Sequence, residues 1–288
     1  MKFSIIANPE RYAIRDPFTE TLIWCDQNSH HLFIPESLKK LIPVSVSPES
    51  YTLLRNEEDC ASESDLVVAI GGDGTMLHTA QIIKNTNIPV LGINTGKLGF
   101  MANVQPNDVN SALSTIVEGK HKTEKRSFLK ASTKNTEFHA LNEFLFSRKG
   151  STSLVTLTAY YDDQLLNRFW SDGLIISTPT GSTAYNLSAG GPIVMPGTPV
   201  MVITPINPHT LTTRPLVVPS NRELKIKVED DSEHIIFSYD GKSVDENISE
   251  VSITQSDAFI NLVQLPDQSY FKTLRDKLMW GADNREKK

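Results

Sequence analysis

The chain has 288 residues, of which 39% are apolar and 22% charged, the composition of a globular protein with one large or two ordinary domains. No apolar run is long enough for a signal peptide or a membrane span, so we expect a cytoplasmic protein that binds no membrane. The net charge of -6 excludes the basic surface that nucleic-acid binding needs, and two cysteines exclude a disulfide framework or a cysteine zinc site.

The first part of the chain alternates predicted strands and helices. The strands are predicted at residues 3–7, 31–34, 66–70 and 89–93, and the helices at residues 18–26, 75–84 and 107–118. The uninterrupted apolar run at 66–70 is typical of a strand buried on both faces of a parallel sheet. Asn107 is the predicted N-cap of the third helix, and Gly119 closes it. This alternation predicts an open, Rossmann-like α/β domain over residues 1–120.

Short apolar runs separated by turn residues replace this alternation from residue 121 onward. We predict strands at 128–132, 138–146, 154–161, 165–170, 174–177, 200–206, 216–218, 224–228, 235–239, 251–254 and 259–265. Asp162 and Asp163 form a predicted hairpin turn. Many short strands of this kind predict a β-sandwich domain over residues 121–265. In the terminal segment 266–288, we predict a helix at 269–279 that packs back against the first domain.

The most informative local pattern is Gly71-Gly72-Asp73-Gly74-Thr75, which follows a buried strand directly and opens a helix. Ligands of open α/β sheets bind beyond the carboxyl ends of the strands, so this turn lies where a site is expected. Glycines let the backbone approach a phosphate and present its N–H groups, and a helix N-terminus favours an anion. The pattern is neither G-x-G-x-x-G nor a Walker loop, which needs a Lys-Ser/Thr pair.

Asp73 places a carboxylate inside this phosphate cradle, where it would repel phosphate. Its chemical purpose is therefore to face an attacking hydroxyl group or to lie near a magnesium ion carried by ATP. The alternative is a tight turn in which Asp73 only caps the helix, because aspartate is a favoured N-cap residue.

Three further residues have side chains suited to a nucleoside. Phe100 ends a glycine-containing turn and offers an aromatic face to a purine ring, or it is simply a core residue. Asn142 and Glu143 interrupt an apolar strand pattern. An asparagine can bond to the edge of adenine and a glutamate can accept from ribose hydroxyls, although a solvent-facing pair on a strand would look the same.

The longest polar pattern spans residues 171–192, where a strand enters a loop dense in hydroxyl groups and glycines. Many hydrogen-bonding groups without fixed charge suit a nucleoside. Gly181 and Ser182 resemble part of a nucleophile turn, but the G-x-S-x-G elbow of serine hydrolases is absent. We therefore interpret this segment as a nucleoside-binding loop.

These motifs occur in an order that resembles the NAD kinase family. The resemblance is carried by residues 71–75, 94–100, 142–143, 172–192, 208–211 and 214–216. It implies an α/β domain followed by a β-sandwich and assembly into a homodimer or homotetramer. It also implies transfer of the γ-phosphate of ATP to the 2′-hydroxyl of the adenosine ribose of NAD, giving NADP. A divalent metal, Mg²⁺ or Mn²⁺, would be carried by ATP, with no metal site of the protein's own.

The resemblance also implies roles for individual residues. Asp73 would be the catalytic proton acceptor and contact NAD, while Asn142 would bind adenine and Glu143 a ribose. Asp172 would hold the nicotinamide end, from the same or a neighbouring subunit. The remaining NAD-binding set is Gly74, His78, Phe100, Thr183, Ala184, Tyr185, Asn186, Leu187 and Ser188, and the ATP phosphates would bind to Gly71, Gly72, Gly74 and Thr75.

Other functions remain open at this point. The glycine-rich turn alone is shared with diacylglycerol, sphingosine and phosphofructo-kinases, although no basic amphipathic helix suggests a lipid surface. A non-catalytic dinucleotide sensor is a further alternative, which the intact Asp73 disfavours. The use of NADH as acceptor, the choice of phosphate donor and control by NADP(H) are not predicted from the sequence.

Overall fold

The computed structural model describes residues 1–150, 154–229 and 235–281, and the chain divides into two compact units. The α/β unit comprises Met1–Lys125 and Ile260–Lys288, and the β unit comprises Arg126–Phe259. The last part of the predicted terminal segment, residues 282–288, lies outside the described residues.

The α/β unit is built on a sheet of parallel strands. Its strands are β1 (Lys2–Ala7), β2 (His31–Pro35), β3 (Tyr51–Leu54), β4 (Leu66–Gly71) and β5 (Pro89–Asn94), paired in the order β5-β4-β1-β2-β3. Its first helices are α1 (Arg15–Gln27), α2 (Glu57–Ser62), α3 (Asp73–Ile83) and α4 (Val109–Val117). Every residue of β4 is buried, as predicted for a strand covered on both faces. The open α/β fold is confirmed.

Several predicted details of this unit are corrected. Strand β3 and helix α2 were not predicted, because their short sequences lack a clear apolar period; α2 is instead begun by Asn56, whose Oδ1 accepts a hydrogen bond from Asp59 N at 2.7 Å. Asn107 is not the N-cap of α4, because a 3₁₀ turn over Pro106–Asp108 precedes that helix. Gly119, with a φ of +70°, does end α4.

The β unit contains two antiparallel sheets. Its strands begin with β6 (Lys122–Ser132), β7 (Glu137–Ala140), β8 (Glu143–Arg148), β9 (Val155–Tyr161), β10 (Gln164–Ser171) and β11 (Gly173–Ser177). They continue with β12 (Val200–Ile206), β13 (Leu216–Pro219), β14 (Leu224–Val228), β15 (Ile235–Tyr239), β16 (Lys242–Ser243) and β17 (Glu250–Gln264). One sheet has the order β13-β12-β11-β8-β15-β16, and the other contains β10-β9-β14-β17. Side chains from both sheets, including Phe146, Leu157, Ile176, Ile226 and Phe237, form one core, which confirms the β-sandwich.

Two strand assignments and one domain boundary in this part of the chain differ from the prediction. Residues 138–146 form β7 and β8 rather than one strand, and residues 251–265 contain the single strand β17 rather than two. Residues 260–265, predicted in the β-sandwich, belong to the α/β unit, because Asn261 and Leu262 pair in parallel with Pro89 and Val90. The predicted turn at Asp162 and Asp163 is confirmed, since both have positive φ between β9 and β10.

Two helices complete the described chain. Helix α5 (Tyr185–Ser188) lies in the polar segment that we interpreted as a loop. The predicted terminal helix is α6 (Tyr270–Leu278), and it belongs to the α/β unit. The hydroxyl of Ser269 caps it by accepting a hydrogen bond from Lys272 N at 3.1 Å. Within the described ranges, no helix is long and apolar enough to cross a membrane.

Candidate functional site

The glycine-rich turn joins the carboxyl end of β4 to the first turn of α3. Gly72 is the N-cap, and its carbonyl accepts hydrogen bonds from the N–H groups of Thr75 and Met76. Gly71 is buried, and a Cβ there would come within 2.0 Å of Thr75 Oγ1, so only glycine fits. A Cβ at Gly72 or Gly74 would meet no atom within 4 Å. The backbone of the turn is therefore open to a ligand at these two glycines.

A cavity of about 520 Å³ lies against this turn in the α/β unit. Gly72, Gly74, Thr75 and His78 line it together with three residues that the sequence analysis missed, Asn8, Arg11 and Glu57. His78 Nε2 lies 2.6 Å from Glu57 Oε2. The N–H groups of a helix N-terminus and the guanidinium group of a nearby arginine are groups that bind phosphate.

The Asp73 carboxylate is held by a second turn that follows β5. Its Oδ1 accepts hydrogen bonds from the N–H groups of Met101 at 3.0 Å and Ala102 at 3.3 Å, and its Oδ2 accepts one from Phe100 N at 3.0 Å. Lys277 Nζ of α6 lies 3.3 Å from the same Oδ2. Gly72, not Asp73, is the N-cap of α3, and the donors described for the Asp73 carboxylate lie at residues 100–102 and Lys277, so Asp73 is not a simple capping residue.

Gly99 makes this arrangement possible. A Cβ at Gly99 would lie 2.3 Å from Asp73 Oδ1, closer than any side chain can approach. The next residue, Phe100, is only 8% exposed, and its ring centroid lies 4.5 Å from Lys277 Nζ and 6.1 Å from the Tyr270 ring. In this structure Phe100 therefore packs as a core residue against α6.

A carboxylate in the β unit holds Asn142 and Glu143 in the same manner. Asp240 Oδ2 accepts from Leu141 N at 2.8 Å, and its Oδ1 accepts from Asn142 N at 2.7 Å and Glu143 N at 3.3 Å. Asp240 and Gly241 both have positive φ in the tight turn between β15 and β16. No role for Asp240 was predicted, and its three bonds lie where β7 ends and β8 begins.

The carboxyl group of Glu143, in the β unit, has a pKa far from its ordinary value. Its Oε2 is buried and has no hydrogen-bond partner among the described residues. Burial, and secondarily the charge of Asp240, raise the pKa of Glu143 to about 7. A buried carboxylate without a donor is unfavourable, so a ligand hydroxyl that donates to it would be bound firmly.

The polar segment after β11 packs against Asn142. Thr178 N donates to the Asn142 carbonyl at 2.8 Å, and a Cβ at Gly181 would lie 2.1 Å from that same oxygen. Asn186 is buried and ties the segment together through Ser182, Pro192 and Thr204. The predicted residues Thr183, Ala184, Tyr185, Leu187 and Ser188 are partly or fully exposed beside it. The structure thus brings this segment and Asn142 together.

Asp172 lies at the other end of β11 from this group. Glu143 is paired with Ser177, whereas Asp172 precedes Gly173, which is paired with Ser147. Five residue steps, from Asp172 to Ser177, separate these ends by about 16 Å. Asp172 is bound there by Arg148 Nε at 3.2 Å and by Asn207 Nδ2 at 3.0 Å. A single chain therefore does not place Asp172 against Asn142 and Glu143.

The described residues contain no group of three or more histidine, cysteine or acidic side chains that could hold a metal ion. Both cysteines, Cys25 and Cys60, are buried free thiols. Burial raises the pKa of each thiol to about 12, so neither is an activated nucleophile.

Family models match most of the chain. The ATP-NAD kinase N-terminal domain matches residues 7–121, and the ATP-NAD kinase C-terminal domain matches residues 141–265. A curated NAD kinase of Flavobacterium psychrophilum is 39% identical over 268 residues, which cover 90% of this chain and 91% of the relative. An NAD kinase of Flavobacterium johnsoniae is 36% identical over 293 aligned residues, covering 99% of this chain and 100% of the relative.

Solved structures give the same result. Yeast NADH kinase complexed with NADH superposes with a TM-score of 0.88 at 26% identity, covering 100% of this chain and 90% of that one. An NAD kinase from Archaeoglobus fulgidus in complex with ATP superposes with a TM-score of 0.75 at 25% identity, covering 97% and 99% of the two chains. Both the α/β unit and the β unit therefore have relatives in solved kinases.

Proposed function

The chain belongs to the NAD kinase family and phosphorylates NAD to NADP with ATP, and we propose that Asp73 is the group that accepts the proton of the reacting hydroxyl. The observation that carries this proposal is the geometry of its carboxylate. Main-chain N–H groups fix its orientation, yet its side chain remains 29% exposed at the turn that borders the cavity. A carboxylate held in a fixed orientation at a partly exposed position can act as a general base once a substrate hydroxyl reaches it.

We assign the phosphates of ATP to the cavity beside α3. The N–H groups of Gly72 and Gly74 and the hydroxyl group of Thr75 would bind phosphate oxygens, the guanidinium group of Arg11 would balance part of their charge, and the imidazole of His78 would donate a hydrogen bond. Gly71 would contribute indirectly, because a side chain at this position would clash with Thr75 and change the shape of the turn.

A divalent metal ion, Mg²⁺ or Mn²⁺, belongs to the donor substrate in this proposal. Of the residues described as lining the cavity, Glu57 is the acidic one, and its carboxylate pairs with His78. The Asp73 oxygens accept hydrogen bonds from the 100–102 turn. Because both carboxylates already have partners, they fit a metal ion that is bound mainly by the triphosphate. There the metal ion would reduce the negative charge that the hydroxyl group of NAD must approach.

We assign NAD to residues of both units on the chemistry of their side chains. Glu143 would accept a hydrogen bond from a ribose hydroxyl, and Asn142 would bind the adenine edge. Asp172 would contact the nicotinamide end, from this chain or a second copy. The remaining proposed contacts are Gly74, His78, Phe100, Thr183, Ala184, Tyr185, Leu187 and Ser188, while buried Asn186 would act by holding its loop.

The reaction needs little covalent chemistry from the protein. As the 2′-oxygen of the adenosine ribose bonds to the γ-phosphorus, the bond from that phosphorus to the bridging oxygen breaks, and its electron pair leaves with ADP. The hydroxyl proton passes to Asp73. Because phosphoryl transfer has a loose transition state, the proton can move late, and a weakly basic carboxylate suffices.

We also propose a homodimer or homotetramer and a cytoplasmic location. A second copy would offer its own Asp172, which a single chain keeps about 16 Å along the sheet from Glu143, since five residue steps separate Asp172 from Ser177. Buried, reduced cysteines suit a reducing compartment. Light scattering after size exclusion measures the subunit number directly, and a monomer that is fully active would contradict the assembly.

Asp73→Asn tests the proposed function. With ATP, magnesium ion and NAD, and NADP measured by an NADP-specific dehydrogenase, we expect kcat to fall by about 10²–10⁴-fold, the usual contribution of a general base. The Kd for NAD is measured in parallel, because the amide NH₂ cannot accept from the 100–102 turn and any resulting loss of binding must be separated from the loss of the base. A variant with near-normal kcat would exclude Asp73 as the proton acceptor, and a wild-type chain that binds NAD without turnover would indicate a sensor.

A further inference from the structure

The Asp73 carboxylate has no acceptor position left for a substrate hydroxyl. A carboxylate offers about four lone-pair sites. Oδ1 accepts from the N–H groups of Met101 and Ala102, while Oδ2 accepts from Phe100 N and from Lys277 Nζ. A hydroxyl that is to give its proton to Asp73 must therefore replace one of these four donors.

Three of these donors cannot leave without distorting the main chain. Gly99 N donates to the Ala102 carbonyl at 3.2 Å, which closes the turn. The main chain at Ala102 also packs against β5, since a Cβ at Gly92 would come within 2.7 Å of Ala102 Cα. The fourth donor, Lys277, lies on a flexible four-carbon side chain that is 30% exposed.

Helix α6 places Lys277 at this position. The helix is capped by Ser269 and anchored by Thr273 and Leu274, which are 8% and 3% exposed. Lys277 lies in the last turn, where a cation also interacts favourably with the helix dipole. Its ammonium group lies 4.5 Å from the centroid of the Phe100 ring, so a cation–π contact holds it over Asp73.

We propose that Lys277 occupies, in the substrate-free enzyme, the acceptor position on Asp73 that the reacting hydroxyl of NAD takes, and that NAD displaces it. The inference rests on the proposed role of Asp73. It assigns α6 a part in the reaction cycle: while Lys277 is in place, Asp73 cannot accept a proton from water. Lys277 thereby suppresses hydrolysis of bound ATP until the correct acceptor arrives.

Lys277→Met tests this role, because it removes the ammonium group and keeps an apolar stem beside Phe100. We expect the KM for NAD to fall by about two- to five-fold, since the exposed ion pair that competes with NAD is weak. Phosphate release from MgATP in the absence of NAD should rise by about ten-fold or more, because water gains access to a general base. Lys277→Arg keeps a cation on Asp73 and should therefore show none of the rise in phosphate release that is expected of Lys277→Met.

The matched control is Lys272→Met on the same helix, where Lys272 pairs with Asp276 at 3.0 Å and does not contact Asp73. It should leave both readouts unchanged. Thermal denaturation checks that each variant is folded, and Lys277→Ala, which also removes the donor, replaces Lys277→Met if the latter is not. The double variant D73N/K277M should show no rise in phosphate release, because the base is gone.

The absence of either effect in the folded Lys277 variant overturns the proposal, as does the same effect in the Lys272 control. The two hypotheses remain separable. An inactive Asp73→Asn enzyme combined with an unaltered Lys277→Met enzyme refutes the role of Lys277 alone. An active Asp73→Asn enzyme refutes the role of Asp73 itself.

Discussion

Asp73 and Asp240 perform the same structural task in different units, because each carboxylate accepts hydrogen bonds from three consecutive main-chain N–H groups. Hydrogen bonds to a charged acceptor are the stronger kind. In the α/β unit the arrangement fixes the orientation of the carboxylate that we propose as the proton acceptor. In the β unit it orients the segment that carries Asn142 and Glu143.

Asp240→Asn is predicted to loosen that segment. An amide NH₂ cannot accept, so at least one N–H group of residues 141–143 loses its partner, at a cost of about 1–3 kcal/mol. We expect a lower thermal midpoint and a KM for NAD raised by about five-fold or more. Asp245→Asn, an exposed charge loss in the same region, is the control. Equal KM values for the two variants would contradict a positioning role for Asp240.

Glu143 gives the stability of the protein a predictable pH dependence. Because its pKa is raised from 4.5 to about 7, the folded state binds more protons than the unfolded state between these values. Stability should therefore fall as the pH rises through this window, by up to about 3 kcal/mol relative to a variant without the carboxylate. Urea unfolding of the wild type and Glu143→Gln at pH 5 and pH 8 measures this difference.

The expected result is that Glu143→Gln gains stability relative to the wild type on going from pH 5 to pH 8. Both proteins share all other titrating groups, so the comparison isolates residue 143. A constant difference between the two proteins across this pH range would show that Glu143 titrates normally.

At the scale of elements, the turn after β5 holds the Asp73 carboxylate in place, while the glycine-rich turn after β4 carries Asp73 itself. Gly99→Ala would place a Cβ 2.3 Å from Asp73 Oδ1, so either the carboxylate or the turn must move. Relieving this clash requires a shift of about 1 Å, and a shift of that size at a reacting group lowers the rate by about 10²-fold. Gly96→Ala is a matched control in the same turn, since its nearest atom would be 3.9 Å away. Comparable kcat values for the two variants would contradict the supporting role of Gly99.

The elements that the sequence predicted well are those with local signatures. Residues close together in the chain form each of these signatures: the apolar run of β4, the glycines of the turn after it, the apolar face of α4, and the hairpin turn at Asp162 and Asp163. Strand β3, helix α2 and the break between β7 and β8 lack such a signature. The main-chain N–H groups at the break donate to Asp240, which is about a hundred residues away in the chain.

The residues of the candidate site that could be predicted are likewise those with a local sequence signature. Asp73, Asn142 and Glu143 stand out because each is a polar residue in an apolar or glycine-rich context. Lys277 does not stand out, since a lysine in the last turn of an amphipathic helix is ordinary. Its contact with Asp73 joins residues 204 positions apart, and only the folded chain brings them together.

On the scale of the whole molecule, each unit has its own apolar core and its own carboxylate-bound turn. The family models match both units, in chain order. The α/β unit contains the cavity that we propose for the ATP phosphates, Asp73 and Lys277, whereas the β unit contains the buried carboxyl group of Glu143. The residues that we propose to bind the phosphates of ATP therefore lie in the α/β unit, and most of those that we propose to bind the nucleoside lie in the β unit.

The central claim is that the reacting hydroxyl of NAD donates to the carboxylate of residue 73. A crystal structure of the enzyme with NAD and a non-hydrolysable ATP analogue measures this directly. We expect the 2′-oxygen within about 3.2 Å of an Asp73 oxygen, the range of a hydrogen bond, with the ammonium group of Lys277 withdrawn. A ribose bound elsewhere, with Asp73 still covered by Lys277, would contradict the account.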